Sequence, residues 1–335
     1  MTIRMINWRS WGNWSVRSIK HLAVSIPRPI KAAIGPLVAA IILIPMAWQL
    51  YVHWDEVIAY VAGANVKLLI AALGFAILDL GIFGLAWLAI ARRLNIALGF
   101  VRDLRAFFFS NFMKRVPGMV WYVMGRTYLY RSGEGGIWMA TTGTVLENAF
   151  LLLAGIFLAL ILWPHQLRLS NSWVVASLLV ILTITIVFLL FPAALLRFVQ
   201  LFRDEKDESA IQTVHITGMD IIVWIVLYLL VWLIGGLSFY CFVSAFDASI
   251  SRASLLFVLG VSTLYSLTGF VAFFVPGGMG AKELAGALLL RNIIAPHLGL
   301  TVMLLFRLNL LVAEGIWLAL SALLERAVHR PSLKL

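Results

Sequence analysis

Two groups of residues carry the chemistry this chain has available. The first is the run Pro276, Gly277, Gly278, Met279, Gly280, Ala281, Lys282, Glu283. Its clustered glycines permit positive φ and the close approach of a ligand or another backbone. A helix beginning near Gly280 presents free N–H groups and the positive end of its dipole, a natural seat for phosphate or carboxylate. Lys282 adds a mobile cation beside that seat, and Glu283 places an acid in the first turn. The same residues also read as a tight helix start, with glycine present for packing and Glu283 stabilising the dipole.

The second group is charge inside long apolar runs: Asp79, Glu147, Arg307 and Glu314, with Asp220 nearer a run's end. Such residues do not face hydrocarbon; they pair across a bundle or line a polar cavity. Arg307 and Glu314 share a helix face two turns apart, so an Arg307–Glu147 or Arg307–Glu314 pair is expected. A lone partner in low dielectric is costly. One outcome is a static ion pair that fixes packing; the other is a pathway for a charged substrate.

These positions need a scaffold, and the composition dictates its solvent. The chain has 335 residues, 62% hydrophobic and 12% charged, with a mean hydropathy of +0.99. Soluble domains carry roughly twice that charged fraction, so lipid must cover most of this surface. Each crossing of a ~30 Å hydrocarbon core takes about 20 apolar residues. The expected fold is all-α, a polytopic transmembrane helix bundle of about eight spans with one or two Pro-Gly-broken re-entrant segments. Long unbroken apolar runs exclude a barrel, whose strands read as short alternating segments. The net charge of +11 and pI near 10.2 fit basic cytoplasmic loops, not nucleic-acid binding.

Residues 1–31 contain basic residues and no acid, with Trp8, Trp11 and Trp14 on one helical face. They read as a cytoplasmic, interfacial segment or a basic tail. Spans are expected at about 32–54, 66–91, 137–163, 172–199, 219–246, 253–275 and 301–324, within a transmembrane region 32–325 and before a basic cytoplasmic tail, 326–335. A short helix at 280–296, counted as a crossing, brings the total to eight and leaves both termini inside. Residues 106–123 hold Lys114, Arg115, Pro117 and Gly118. A straight helix there would bury two cations at roughly 2.5–3.5 kcal/mol each, so a helix–break–helix hairpin is expected, which membranes tolerate when protein or water covers the break. The segments 116–119 and 275–279 read V-P-G-M and V-P-G-G-M, a hint of paired broken helices such as mark transporter binding sites.

His53 and Trp54 read as interfacial anchors, while His165, His215, His297 and His329 read as loop residues without metal-ligand spacing. No metal or cofactor is expected. The single cysteine, Cys241, excludes an intrachain disulfide and a CxxC redox pair. No phosphate-binding G-x-x-x-x-G-K-[ST], H-E-x-x-H or G-x-S-x-G occurs, so catalysis would rest on the intramembrane carboxylates alone, and the chain is not expected to be an enzyme.

Three segments resemble a known family: FMKRVPGMVWYVMGRTYLYRSGEG, GTVLENAFLLLAG, and VPGGMGAKE with the later FRLNLLVAEGIWLAL. Over roughly residues 35–325 the chain resembles the integral-membrane, flippase-like region of lysylphosphatidylglycerol synthases and its stand-alone relatives. The resemblance implies lipid translocation. It points to Glu147, Pro276, Gly277, Gly278, Gly280, Glu283 and Arg307, with Pro117, Gly118 and Arg126 in the first broken segment. No segment resembles the soluble aminoacyl-transferase domain, so synthesis of a lysyl lipid is not expected. Met279 stands where leucine is commoner in the family.

Together these readings describe a lipid translocase for a charged phospholipid or polyprenyl-phosphate-linked lipid. Gly277, Gly278, Gly280, Lys282 and Arg307 would hold the phosphate; Glu147, Asp79 or Glu314 would balance charge. Two other classes stay open: a secondary transporter of a small organic solute, and a non-transporting membrane partner of a glycosyltransferase or synthase.

Overall fold

A computed structural model describes residues 44, 48, 51–115, 120–130, 136–162, 216–246, 255–271, 280–291 and 293–328. Among these residues the chain is entirely helical: α1 (Trp54–Ala62), α2 (Val66–Arg93), α3 (Phe100–Phe112), a 3-10 turn (Met113–Arg115), α4 (Val120–Leu129), α5 (Gly136–Leu162), α6 (Gly218–Phe246), α7 (Leu255–Val271), α8 (Ala281–Leu290) and α9 (Pro296–Val328). The expected spans 32–54 and 172–199 lie mostly or wholly outside the described residues, as do the segments 1–31 and 329–335.

Four helices, α2, α5, α6 and α9, are long and apolar enough to cross a membrane. Only 22–44% of their most apolar windows is buried inside the protein. Ile70, Leu78, Ile137, Val226, Leu308 and Val312 stay exposed on outward faces, so hydrocarbon must cover them. The chain is a helical membrane protein. The last helix runs further than expected at both ends, 33 residues in place of 301–324.

The centre of the bundle is α2 laid antiparallel on α6. At one end the Asn65 amide donates to the Ala245 carbonyl at 2.7 Å. At the other, Arg93 meets Asp220 at 2.6 Å. Between them Ser238 Oγ donates to the Ala72 carbonyl at 2.7 Å. Ala72, Ala76 and Gly235 keep the backbones close, the small-residue solution to helix association in lipid. Asn65 starts α2 by accepting from the Lys67 and Leu68 amides, and Arg92 and Arg93 end it with charge suited to the dipole.

Helix α9 crosses this pair. Trp317 donates to the Ile77 carbonyl at 2.7 Å and stacks on Phe108 at 4.8 Å, and Arg105 pairs with Glu325. Two apolar cores result. One joins α2, α3, α5 and α6 through Trp87, Phe107, Trp224 and Tyr228; the other joins α6 to α9 through Phe239, Tyr265, Met303 and Phe306.

The broken segments are short. Helices α3, α4 and α8 hold 13, 10 and 10 residues, or roughly 15–20 Å at 1.5 Å per residue, below a full crossing. The continuous helix that 106–123 could have made stops at Phe112. Helix α4 then folds back on α3, with Met113 packed over Gly125. At ten residues α8 is too short to serve by itself as the crossing helix expected over 280–296.

Close packing sets one measurable expectation. A Cβ on Gly155 of α5 would meet Trp232 Cε2 at 2.7 Å. That indole is anchored by its own bond to the Leu151 carbonyl at 2.8 Å. Gly155→Ala, which gains up to ~1 kcal/mol at an open helix site, here costs about 1–3 kcal/mol by overpacking, read as a lower melting temperature in detergent.

Candidate functional site

Helix α5 carries Glu147 into the first core, where its side chain is fully enclosed. Tyr122 donates its hydroxyl to Glu147 Oε1 at 2.6 Å, and Arg126 Nη1 donates to Oε2. Both donors sit one turn apart on α4. The Arg126 Nε donates to Ser110 Oγ at 3.0 Å, and Ser110 donates on to the Phe107 carbonyl. The guanidinium lies 4.1 Å from the Trp87 ring centre, 4.6 Å from Tyr122 and 5.0 Å from Phe107. Trp87 is held by its own donation to Tyr130 Oη at 2.8 Å. Aromatic faces thus replace water around a cation whose charge is met by one carboxylate. The break after Phe112 makes this possible, because it returns Arg126 beside Ser110.

Helix α8 supplies the second pair. Glu283 Oε2 accepts the Gly280 amide at 2.7 Å, and its Oε1 accepts from Arg307 Nη1 at 2.6 Å. Gly280 has φ +80°, a region open to glycine and costly for other residues. One carboxylate therefore caps the helix and neutralises α9's arginine.

Lys114 stands beside the first pair. Its Nζ lies 4.1 Å from the Tyr122 ring centre and 5.4 Å from Phe83. It is within Coulombic reach of Glu147, Arg126, Glu314 and Lys282. Lys282 extends past Gly269 to 5.2 Å from the Tyr265 ring. Cations and acids from α3–α4, α5, α8 and α9 therefore converge.

The expected pairing of Arg307 with Glu147 or Glu314 does not form. Arg307 takes Glu283 because α8 packs against α9, and Glu147 is already satisfied from α4. The Gly280 amide is likewise not free for phosphate, since Glu283 occupies it. Asp79 is separate from both pairs: it packs against Gly235, and its Oδ1 has no hydrogen-bond partner among the described residues. Pro117, Gly118, Pro276, Gly277 and Gly278 lie outside the described residues. Lys114, Tyr122 and Ser110 were not among the expected site residues, although a lysine inside an aromatic run was a visible signal.

Residues 32–316 match the model of the family described as lysylphosphatidylglycerol synthase TM region. The chain belongs to that family. No curated protein and no solved structure matches it significantly. Membership in the lysylphosphatidylglycerol synthase TM region family gives the chain a membrane, lipid-related context. The match is to the synthases' membrane part, not to a catalytic domain.

Proposed function

We propose that the protein translocates a charged phospholipid or polyprenyl-phosphate-linked lipid between leaflets of the cell membrane, with both termini cytoplasmic. The observation that carries this reading is the convergence of Lys114, Lys282 and Glu314 where the two cores meet, beside helices that stop short of a full crossing. Lys114 and Lys282 attract the headgroup phosphate, and Glu314 balances charge as it passes. Tails need an apolar track. An open groove of about 370 Å³ between α1, α2, α6 and α9 is walled by residues including Leu69, Leu73, Phe242, Phe246, Leu305 and Leu308. That lining suits acyl chains and disfavours a small polar solute.

Lipid extraction from the purified protein, with leaflet accessibility of a labelled anionic lipid in reconstituted vesicles, tests the proposal. One anionic lipid class is expected to co-purify, and Lys114→Met is expected to slow exchange at least tenfold while the melting temperature holds. Exchange no faster than in empty vesicles would sink it. That result would favour a non-transporting membrane partner of a glycosyltransferase or synthase, a reading supported by how self-contained the Arg126–Glu147 and Glu283–Arg307 pairs are.

A further inference from the structure

Away from both ion pairs, at the end of the bundle where α1 and α9 begin, the fold brings together two histidines separated by most of the chain. His53 precedes α1, and His297 is the second residue of α9, not the loop residue expected from sequence. Their rings stack at 4.2 Å with 14° between planes. Glu56, one turn into α1, reaches both: its Oε1 is 3.8 Å from His53 Nδ1 and its Oε2 is 2.7 Å from His297 Nε2. A ligand atom from each residue lies within 4.8 Å of the other two.

The His297–Glu56 contact is close but poorly aligned for a hydrogen bond. His297 Nε2 is enclosed, and the Glu56 oxygen 2.7 Å away lies off the line of its N–H. A cation seated between the nitrogen and the oxygen satisfies both. In a tetrahedral zinc site with bonds of about 2.0–2.2 Å, ligand atoms sit about 3.3–3.5 Å apart, so binding opens the 2.7 Å His297–Glu56 contact and closes the 3.8 Å His53–Glu56 one by roughly half an ångström each. Two imidazoles and one carboxylate form a borderline donor set that suits zinc better than calcium or magnesium, which prefer all-oxygen shells.

We infer that His53, Glu56 and His297 form a divalent transition-metal site, with zinc the expected ion and a fourth position open to water. The ion ties the start of α1 to the start of α9. Both helices also line the apolar groove, through Val61 and Leu305, so the site sits where metal can tie together elements that shape it. The inference does not depend on lipid translocation.

The test uses full-length, tag-free protein in detergent, stripped with chelator and titrated with Zn²⁺ against a chromophoric competitor. One Zn²⁺ per chain is expected, with affinity at least tenfold weaker in His297→Ala and in Glu56→Gln. The glutamate is well exposed, so its replacement leaves the packing intact should the histidine variant fail to fold. Co²⁺ is expected to give visible d–d bands in the wild type that both variants lose, and Zn²⁺ to raise the melting temperature of the wild type alone. Absence of stoichiometric binding, or equal affinity in the wild type and Glu56→Gln, overturns the assignment.

Discussion

Replacing Arg126 with methionine is expected to destabilise the protein by about 3–5 kcal/mol, the range for removing one member of a buried ion pair. Glu147 would keep the Tyr122 hydroxyl and remain a fully enclosed carboxylate with no hydrogen-bonded cation, Lys114 acting on it only through space. Ser110 would lose its guanidinium donor, and the Trp87, Tyr122 and Phe107 faces would lose the charge they surround. Glu147→Gln is expected to act in the same direction, because it strands Arg126 among those rings. The double replacement Arg126→Met with Glu147→Leu removes both charges and is expected to recover much of the loss, since well-packed apolar residues often match a buried pair in stability. Thermal unfolding of the wild type, Arg126→Met, Glu147→Leu and the double variant in one detergent forms a double-mutant cycle. A double variant as unstable as the sum of the singles would show that the charges are not coupled. Full stability in Arg126→Met would show that the pair does not hold α4 against α5.

This pair also shows how far the sequence alone can reach. Hydropathy located α2, α5, α6 and the core of α9, because each span is an unbroken apolar run and the bilayer requires its length. The break after Phe112 was legible too, since Lys114 and Arg115 make a straight helix there expensive. Both Glu147 and Arg126 stood out as candidates. Their partnership did not, because a helix pattern reports which face is polar and not which neighbour that face meets. Only the return of α4 along α3 places Arg126 beneath Glu147. His53 and His297 are a stronger case. They lie 244 positions apart, and no local spacing rule joins residues at the starts of two different helices. Asp79 is half-buried and packs against Gly235, a contact that does not supply the charge-balancing role expected of it among the described residues.

The Glu283–Arg307 pair is expected to respond unequally to loss of its two members. Arg307→Met leaves Glu283 with 1% of its side chain exposed and the Gly280 amide as its remaining hydrogen bond among the described residues. A buried, unmatched carboxylate of this kind costs about 3–5 kcal/mol. Glu283→Gln leaves Arg307, whose side chain keeps 14% exposure and can reorient its long stem toward the interface. The glutamine carbonyl can still accept the Gly280 amide, so the cap survives. The expected cost is smaller, about 1–3 kcal/mol, the scale of a lost charge-assisted hydrogen bond. Glu283→Ala adds loss of the cap, worth roughly 1 kcal/mol more, and frees the start of α8. Melting temperatures are therefore expected to fall in the order wild type, Glu283→Gln, Glu283→Ala, Arg307→Met. Leaflet exchange separates support from transport. If the pair only positions α8 against α9, exchange measured well below each variant's melting point stays near the wild-type rate. Selective loss of exchange in a still-folded Arg307→Met would instead place the arginine in the headgroup path and require that Glu283 release it during transit. The reverse melting order, with Glu283→Gln the least stable, would mean that the glutamate's main role is to shield α9's arginine from lipid.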